Sequence, residues 1–224
     1  MSWQDGIAFE VDFWDRWFRS QGAEWPEDYK TRLDPALPVS PAYVEMLDQI
    51  PCNPVRVLDV GAGPLTVFGR THPRKQLILV PTDALAREYD ILLEKYNIVP
   101  PVRTIFVEAE KLTSLFLPES FDFVHAQNSI DHCRSPYDAV RQMLTVAKVG
   151  GWVWLNHTEN EAEKEKYTGF HQWNFTVRDG DFIIWSKTQS VNVSRELRVA
   201  ADVLSNRANN WTSVTLHKRA PFSA

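Results

Sequence analysis

Cysteine is scarce in this sequence, with two residues, Cys52 and Cys133, among 224. They form no C-x-x-C pair, which argues against a zinc knuckle and against a disulfide framework. Long apolar runs are also missing, since none approaches the roughly 20 residues that a membrane-spanning helix needs. The opening stretch, MSWQDGIAFEVDFWDRWF, has neither the basic segment nor the clean apolar segment of a signal peptide. We therefore expect a cytoplasmic protein with no membrane partner.

An excess of positive charge is missing as well. The net charge of −5 gives no electrostatic reason to expect a nucleic-acid partner. With 44% hydrophobic and 24% charged residues, the composition is that of a soluble globular chain of one large domain, or of one domain with an added lobe. The nine tryptophans are many for this length. Such side chains mostly fill cores, but they also line pockets and oligomer contacts, so a homodimer stays open.

Strands and helices alternate along the middle of the chain. Apolar runs predict strands at residues 55–60, 76–81, 102–109, 121–127 and 152–157, with helices near 84–96 and 135–147. This order predicts an α/β fold with a mostly parallel, seven-stranded sheet. A hairpin turning at Asp179-Gly180 and a closing strand, WTSVTLHKR, predict antiparallel strands at one edge. SRELRVAADVLS reads equally as strand or helix.

The N-terminal part has a different pattern. Residues 8–19 carry aromatic side chains at helical spacing, and Ser40-Pro41 has the form of a helix start. We therefore divide the chain into an N-terminal helical cover, residues 1–50, and a cofactor-binding domain, residues 51–224.

The stretch VRVLDVGAGPLT predicts a strand followed by a tight glycine turn. In a parallel sheet such a turn faces the ligand site. A dinucleotide site requires a third glycine where Thr66 stands, and Pro64 alters the turn where the phosphates would lie. S-adenosylmethionine carries no phosphate. It requires one acid near its amino group and sulfonium, a role for Asp59, and another near its ribose hydroxyls, a role for Asp83.

Over about residues 55–156 the sequence resembles class I S-adenosylmethionine-dependent methyltransferases, in particular bacterial enzymes that modify small molecules or glycans. VLDVGAG, TDAL, VEAEKL, FDFVHAQNSIDHC and KVGGWVWL are similar to five successive motifs of that family. Leu65 departs from it, since a third glycine is frequent there. The resemblance implies a Rossmann-like fold, S-adenosyl-L-methionine as cofactor and a set of cofactor-binding residues: Asp59, Gly61, Ala62, Gly63, Asp83, Ala84, Ala109, Glu110, Gln127 and Asn128.

Three histidines follow strands at the carboxyl edge of the predicted sheet. His132 follows the fourth strand, His157 ends the fifth, and His171 lies in GFHQWNF. Each is a candidate base for removing the proton of an oxygen acceptor. His132 also has a structural interpretation, in which it shapes its loop. His125, within the fourth strand, is expected to face the core or a neighbouring helix.

The segment after the fifth strand combines amide, carboxylate and imidazole groups with aromatic rings. These groups pair hydroxyls in both directions, so they favour a sugar or another hydroxylated acceptor. The predicted acceptor-binding residues are Asn160, Glu161, Tyr167, Gln172, Trp173 and Asn174, together with Arg32 from the N-terminal part.

We expect methyl transfer to a small polar molecule or glycan unit, at oxygen. N-methylation and a non-catalytic cofactor-binding subunit are the alternatives, and a nicotinamide dehydrogenase is disfavoured by Thr66 and Asp59. Asp131, Glu159 and Glu161 are acidic residues near the predicted site, but they form no tight motif for Mg²⁺. The expectation is therefore that no metal is bound.

Overall fold

The computed structural model describes residues 3–224, with side chains from Gly6 onward. Three helices begin the chain: α1 (Trp3–Arg19), α2 (Pro26–Leu33) and α3 (Pro41–Gln49). The predicted start of α3 is correct, because the Ser40 hydroxyl accepts a hydrogen bond from the Ala42 amide at 3.4 Å. Across residues 3–224, no helix combines the length and the apolar character that crossing a membrane requires.

A seven-stranded sheet forms the centre of the molecule. Its parallel part contains β1 (Val55–Val60), β2 (Leu77–Asp83), β3 (Ile105–Phe106), β4 (Phe121–Gln127) and β5 (Ala147–Thr158), with helices α4 (Ala86–Lys95) and α5 (Pro136–Val146) between strands. After β5 come α6 (Glu161–Lys164), β6 (Asn174–Arg178), β7 (Asp181–Trp185), β8 (Ser190–Asn192), α7 (Val193–Leu197), β9 (Ala201–Ala208) and β10 (Trp211–Lys218). The strand order is β3-β2-β1-β4-β5-β10-β9, and β10 runs antiparallel to both neighbours. The fold is Rossmann-like, with a mostly parallel sheet.

Alternate residues of the central strands fill two cores on opposite faces of the sheet. Leu58 and Val124 face one core, which α5 and the last third of the chain cover. Val57 and Phe123 face the other, which Tyr43 and Leu47 of α3 cover. β1 and β4 are therefore buried on both faces, as their nearly continuous apolar runs indicate.

The hairpin at Asp179-Gly180 forms where it was predicted, but it does not extend the main sheet. β6, β7 and β8 form a separate three-stranded sheet. Phe175, Phe182 and Ile184 attach it to the core on the α5 side. The expectation of a hairpin at the sheet edge was therefore wrong in its location, because its buried face packs on another layer rather than pairing edge to edge.

Two further segments differ from their predictions. The third strand is short: only two residues pair with β2, at Thr82 and Asp83, and the following residues form a 3-10 turn over Ala109–Ser114. The segment for which helix and strand were equally possible, SRELRVAADVLS, contains both: α7 ends within it and β9 begins at Ala201.

Candidate active site

A cavity of about 820 Å³ opens at the carboxyl ends of β1, β2 and β4. Parallel sheets bind their ligands at this edge. All ten residues that the sequence assigns to the cofactor line this cavity: Asp59, Gly61, Ala62, Gly63, Asp83, Ala84, Ala109, Glu110, Gln127 and Asn128. α1 and α2 close one side of it with aromatic and charged side chains, among them Trp14 and Arg32.

The turn after β1 needs both of its glycines. Gly61 and Gly63 have φ values of +68° and +65°, which residues with a side chain rarely adopt. A Cβ at Gly61 would lie 2.4 Å from the Ser129 Cβ, and one at Gly63 would lie 2.9 Å from the Trp14 ring. The protein's own chain therefore makes the close approach that requires glycine, through Ser129 after β4 and through Trp14 of α1.

The residues that replace the third glycine have defined partners. Leu65 is fully buried, and its carbonyl accepts a hydrogen bond from Arg32 at 2.8 Å. The Thr66 hydroxyl donates to Asp59 Oδ2 at 2.5 Å. Leu65 and Thr66 therefore tie the turn to α2 and to the end of β1, and the departure from the glycine pattern does not disrupt the turn.

Asp59 is turned toward the interior. Its residue surface is 1% exposed, and Oδ1 lies 2.6 Å from His125 Nδ1. His125 Nε2 in turn lies 3.1 Å from the Tyr43 hydroxyl. The Asp59 side chain is almost fully buried and both of its oxygens have protein partners, so this geometry favours a role in fixing the turn over the expected direct contact with the cofactor's amino group. His125 faces the core, as the sequence predicts.

Asp83, at the end of β2, links the turn to the cavity. Its two oxygens accept hydrogen bonds from the Gly63 amide at 3.0 Å and the Leu85 amide at 2.8 Å. Burial raises the pKa of Asp83 to about 6, against the opposing effect of these two N–H donors. A half-buried carboxylate that titrates near neutral pH is a frequent feature of ligand sites.

Two other cofactor candidates have side chains already engaged by protein. Glu110 Oε1 accepts from the amides of Arg134 and Ser135 at 2.8 and 3.2 Å, so it fixes the loop that precedes α5. Asn128 has a φ of +47°, and its amide accepts from the Thr158 backbone at 3.0 Å and donates to Glu161 at 3.3 Å. Asn128 thus connects the ends of β4 and β5 with the acceptor-side wall.

Two of the three candidate base histidines meet on the cavity wall. His132 Nε2 and His171 Nδ1 lie 3.2 Å apart, and each is close to Asp131 Oδ2, at 3.5 and 3.2 Å. The Asp131 side chain is 3% exposed. Burial alone would raise the pKa of Asp131, but the three surrounding histidines, His132 most strongly, lower it well below its usual range. Burial lowers the pKa of His171, but hydrogen bonding to Asp131 and its charge outweigh burial and raise it overall.

His157 does not reach the cavity. It is 1% exposed, on the strand face that packs on the core, with its ring against Phe175 at 4.6 Å. Its Nδ1 lies 3.7 Å from Asp131 Oδ1, and burial lowers the pKa of this imidazole. The expectation of a base facing the acceptor is thus wrong for His157. β5 continues to Thr158, and strand alternation turns His157 inward.

Of the seven predicted acceptor-binding residues, two line the cavity, Glu161 and Arg32. Arg32 is held by Asp28 at 2.7 Å and lies over the rings of Trp14 and Trp17. The other five do not line the cavity, because their side chains contact other parts of the protein. Asn160 accepts a hydrogen bond from Trp185, and Asn174 donates one to Tyr167. Gln172 donates to two backbone carbonyls, and Trp173 packs on the core.

Four further residues line the cavity wall without having been assigned to the site from the sequence: Glu10, Glu165, Phe170 and Trp211. Of these, Phe170 lies within the GFHQWNF segment. Asp131 is one of three acids, with Glu159 and Glu161, that the sequence offers as metal ligands, and its position beside His132 and His171 comes from the meeting of separate segments. Of the other two acids, Glu161 lines the cavity, whereas Glu159 lies elsewhere and is held by Thr176 at 2.8 Å and Arg207 at 2.7 Å.

Residues 58–155 match the family model of a methyltransferase domain. A search of the curated proteins finds no significant match to this sequence. Among solved structures, the chain is similar to the trans-methyltransferase CalH in complex with SAH, at 16% identity over 86% of this chain and 59% of that one, with a TM-score of 0.54.

Two further solved structures are similar. The 1,6-didemethyltoxoflavin-N1-methyltransferase of Burkholderia thailandensis has 13% identity and a TM-score of 0.51, over 98% of this chain and 92% of that one. The CurJ carbon methyltransferase has 13% identity and a TM-score of 0.52, over 78% of this chain. The chain spans about half the length of CurJ, with 51% of that chain covered. At these identities the structural likeness shows the fold.

Proposed function

We propose that this enzyme, a class I S-adenosylmethionine-dependent methyltransferase, transfers the methyl group to a small hydroxylated acceptor such as a sugar. The observation that carries the proposal is the cluster of Asp131, His132 and His171, in which the two histidines line the cavity and Asp131 is buried beside them. A hydroxyl group becomes a better nucleophile when its proton is removed, and this step needs a titratable group at the acceptor.

The cofactor is proposed to lie across the carboxyl ends of β1, β2 and β4. Asp83 accepts hydrogen bonds from the ribose hydroxyls, and the backbone of residues 61–63 lies along the methionine part. Ala109 and Glu110 lie toward the adenine, and Gln127 and Asn128 lie toward the sulfonium. Asp59 acts from beneath, because it holds Thr66 and His125 and so fixes the shape of the turn.

The acceptor side is proposed to lie between the histidine cluster and Glu161. Glu161 has one carboxylate oxygen, Oε2, that is buried without a hydrogen-bond partner among the described residues. Such an atom is costly to leave unpaired, so an acceptor hydroxyl that donates to it gains affinity. Methyl transfer is an in-line displacement, and the protein contributes mainly by holding the two reactants in position.

We propose residues 1–50 as the cover of this site and residues 51–224 as the catalytic domain. The support is the contribution of α1 and α2 to the cavity wall, through Glu10, Trp14 and Arg32. The contribution of α3 is different, because its buried side chains belong to the core beneath the sheet.

N-methylation is the second candidate. Glu10, Glu161 and Glu165 all line the cavity, and carboxylates in this number favour an acceptor with a protonated amine. An amine that is bound in its neutral form needs no base before attack. The two functions therefore differ in their need for the histidine cluster.

A transfer assay with methyl-labelled S-adenosylmethionine separates them. Pools of polyhydroxylated compounds and of amines are offered to the wild-type enzyme and to the His132→Ala and His171→Ala variants. We expect labelled hydroxylated products and a loss of turnover of about 10²–10⁴-fold in the variants, the usual contribution of a general base. His217→Ala is the matched control, because His217 lies on β10, away from the cavity. Labelling of amines alone, with turnover intact in both variants, would establish N-methylation instead.

A further inference from the structure

Three donor atoms converge where His132 and His171 line the cavity wall, with Asp131 buried beside them. His132 Nε2, His171 Nδ1 and Asp131 Oδ2 form a triangle with sides of 3.2, 3.2 and 3.5 Å. They come from two separate parts of the chain: Asp131 and His132 follow β4, and His171 precedes β6. Within the described residues they form the one group of three histidine, cysteine or acidic side chains that is close enough to share a metal ion.

The three contacts of this triangle cannot all be hydrogen bonds. His132 Nε2 and His171 Nδ1 carry at most one proton each and Asp131 Oδ2 is an acceptor, so two protons are available for three contacts. If His171 Nδ1 donates its proton to Asp131, no hydrogen bond joins the two imidazole nitrogens, although they lie 3.2 Å apart. If His171 Nδ1 instead accepts a proton from His132, no hydrogen bond joins it to the Asp131 oxygen, which also lies 3.2 Å away.

The Asp131 charge also lacks a permanent cation. The carboxylate is buried, and among the described residues its ion-pair partners are three histidines and no lysine or arginine. The second oxygen of Asp131, Oδ1, is buried and has no hydrogen-bond partner among the described residues. A buried carboxylate is stabilised by a paired cation or by a bound metal.

The triangle has the dimensions of a metal site. Metal–nitrogen and metal–oxygen bonds of about 2.0–2.2 Å place adjacent ligands about 3.0 Å apart in an octahedron and about 3.4 Å apart in a tetrahedron. The observed sides of 3.2–3.5 Å lie near this range. Two histidines and one carboxylate on one face of an ion leave the remaining coordination positions open.

We infer that Asp131, His132 and His171 bind one divalent transition-metal ion, with its open positions directed into the cavity. Two imidazoles and one carboxylate favour Zn²⁺, Fe²⁺ or Co²⁺ over Mg²⁺ and Ca²⁺, which prefer oxygen ligands. Glu161 lines the same cavity, and its Oε2 has no hydrogen-bond partner among the described residues.

Resting on the proposed function, this inference changes the task of the two histidines: their ring nitrogens hold the ion, and the ion takes their place in promoting loss of the hydroxyl proton. A hydroxyl bound to the ion loses its proton more readily, because the cation stabilises the alkoxide. The ion also holds that oxygen in a fixed position for in-line attack on the methyl carbon. The oxygen–carbon bond forms as the carbon–sulfur bond breaks, the electron pair of that bond stays on sulfur, and the proton leaves to solvent.

The test is metal binding by the full chain, without an affinity tag and after treatment with a chelator. Co²⁺ is titrated while its visible absorption is recorded, and Zn²⁺ and Mg²⁺ are titrated by calorimetry. We expect one Co²⁺ or Zn²⁺ per chain and much weaker binding of Mg²⁺. Removing a direct ligand by His171→Ala or His132→Ala should weaken binding by about 100-fold or more, since removal of groups outside the ligand shell already costs about 10–100-fold. His217→Ala should bind as the wild type does.

His171→Gln and His132→Gln serve as second variants if an alanine variant does not fold, and circular dichroism checks the fold of each. Absence of a visible Co²⁺ band together with absence of Zn²⁺ heat overturns the inference and leaves a hydrogen-bonded cluster only. Equal binding by the wild type and both histidine variants overturns it as well. Binding of S-adenosylhomocysteine is measured on the same samples, so a protein that binds cofactor but no metal refutes the metal site and not the methyltransferase function.

Discussion

Asp83 joins the glycine turn to the cavity, and its ionisation should control cofactor affinity. Burial raises its pKa to about 6 from a usual value of 3.8. We propose that the carboxylate form accepts the ribose hydroxyls of the cofactor. Affinity for S-adenosylhomocysteine should therefore be full above pH 7 and fall as the pH drops through 6, by up to about tenfold per unit. Calorimetry between pH 5 and pH 8 measures this profile.

The stability of the cofactor-free protein should change in the opposite direction. Because the folded-state pKa of Asp83 is raised, the folded state binds the carboxyl proton more tightly than the unfolded chain does. Protonation of Asp83 therefore stabilises the fold below pH 4, and this stabilisation is lost as the pH rises through 6. Asp83→Asn is the control: it should bind the cofactor more weakly, without the transition near pH 6. A transition that persists in Asp83→Asn would assign it to another group.

At the residue scale, strand ends could be predicted and side-chain partners could not. Asp83 was predicted because it stands at the end of an apolar run, where a parallel sheet presents its residues to ligand. His157 has the same sequence signal, yet it points inward because β5 is longer than its apolar pattern indicates. The meeting of Asp131 with His171 is a contact across 40 residues, and no local spacing encodes it.

At the scale of elements, α3 differs from the two helices before it. Leu47 of α3 is fully buried beneath the sheet. Leu47→Ala should lower the free energy of unfolding by about 2–5 kcal/mol, because it removes buried methyl groups and leaves a cavity. Chemical denaturation measures the change. Cofactor affinity should stay constant, since Leu47 does not line the cavity.

Glu45→Ala, on the exposed side of the same helix, is the matched control and should change stability by less than about 0.5 kcal/mol. If Leu47→Ala also has an effect this small, α3 contributes little to the core. Residues 1–50 would then behave as a single cover.

The segment between β5 and β6 contains the largest disagreement between pattern and structure. Its amide and aromatic residues were predicted to bind the acceptor because buried polar groups need partners. They have partners, but within the protein: Asn174 and Tyr167 bond to each other, and Asn160 bonds Trp185. The sequence shows that such groups need hydrogen bonds, but it does not show whether the partners belong to the protein or to an acceptor molecule.

At the scale of the whole molecule, the parallel sheet was predictable because each central strand is buried on both faces and therefore has a continuous apolar run. The separate sheet of β6, β7 and β8 was not. Alternating apolar residues such as Phe175 and Phe182 suit a hairpin at a sheet edge as well as one packed on another layer. Tertiary packing decides between the two.

The central claim is that the cavity at the ends of β1, β2 and β4 holds the methyl donor. Titration of the protein with S-adenosylhomocysteine in a calorimeter tests it most directly. We predict one site per chain, weakened by about 10–100-fold in Asp83→Ala, the effect of losing charge-assisted hydrogen bonds of about 1.5–3 kcal/mol. Asp90→Ala, which removes a surface ion pair with Arg103, should bind as the wild type does. No heat at millimolar cofactor, or equal affinity in Asp83→Ala, would contradict the account.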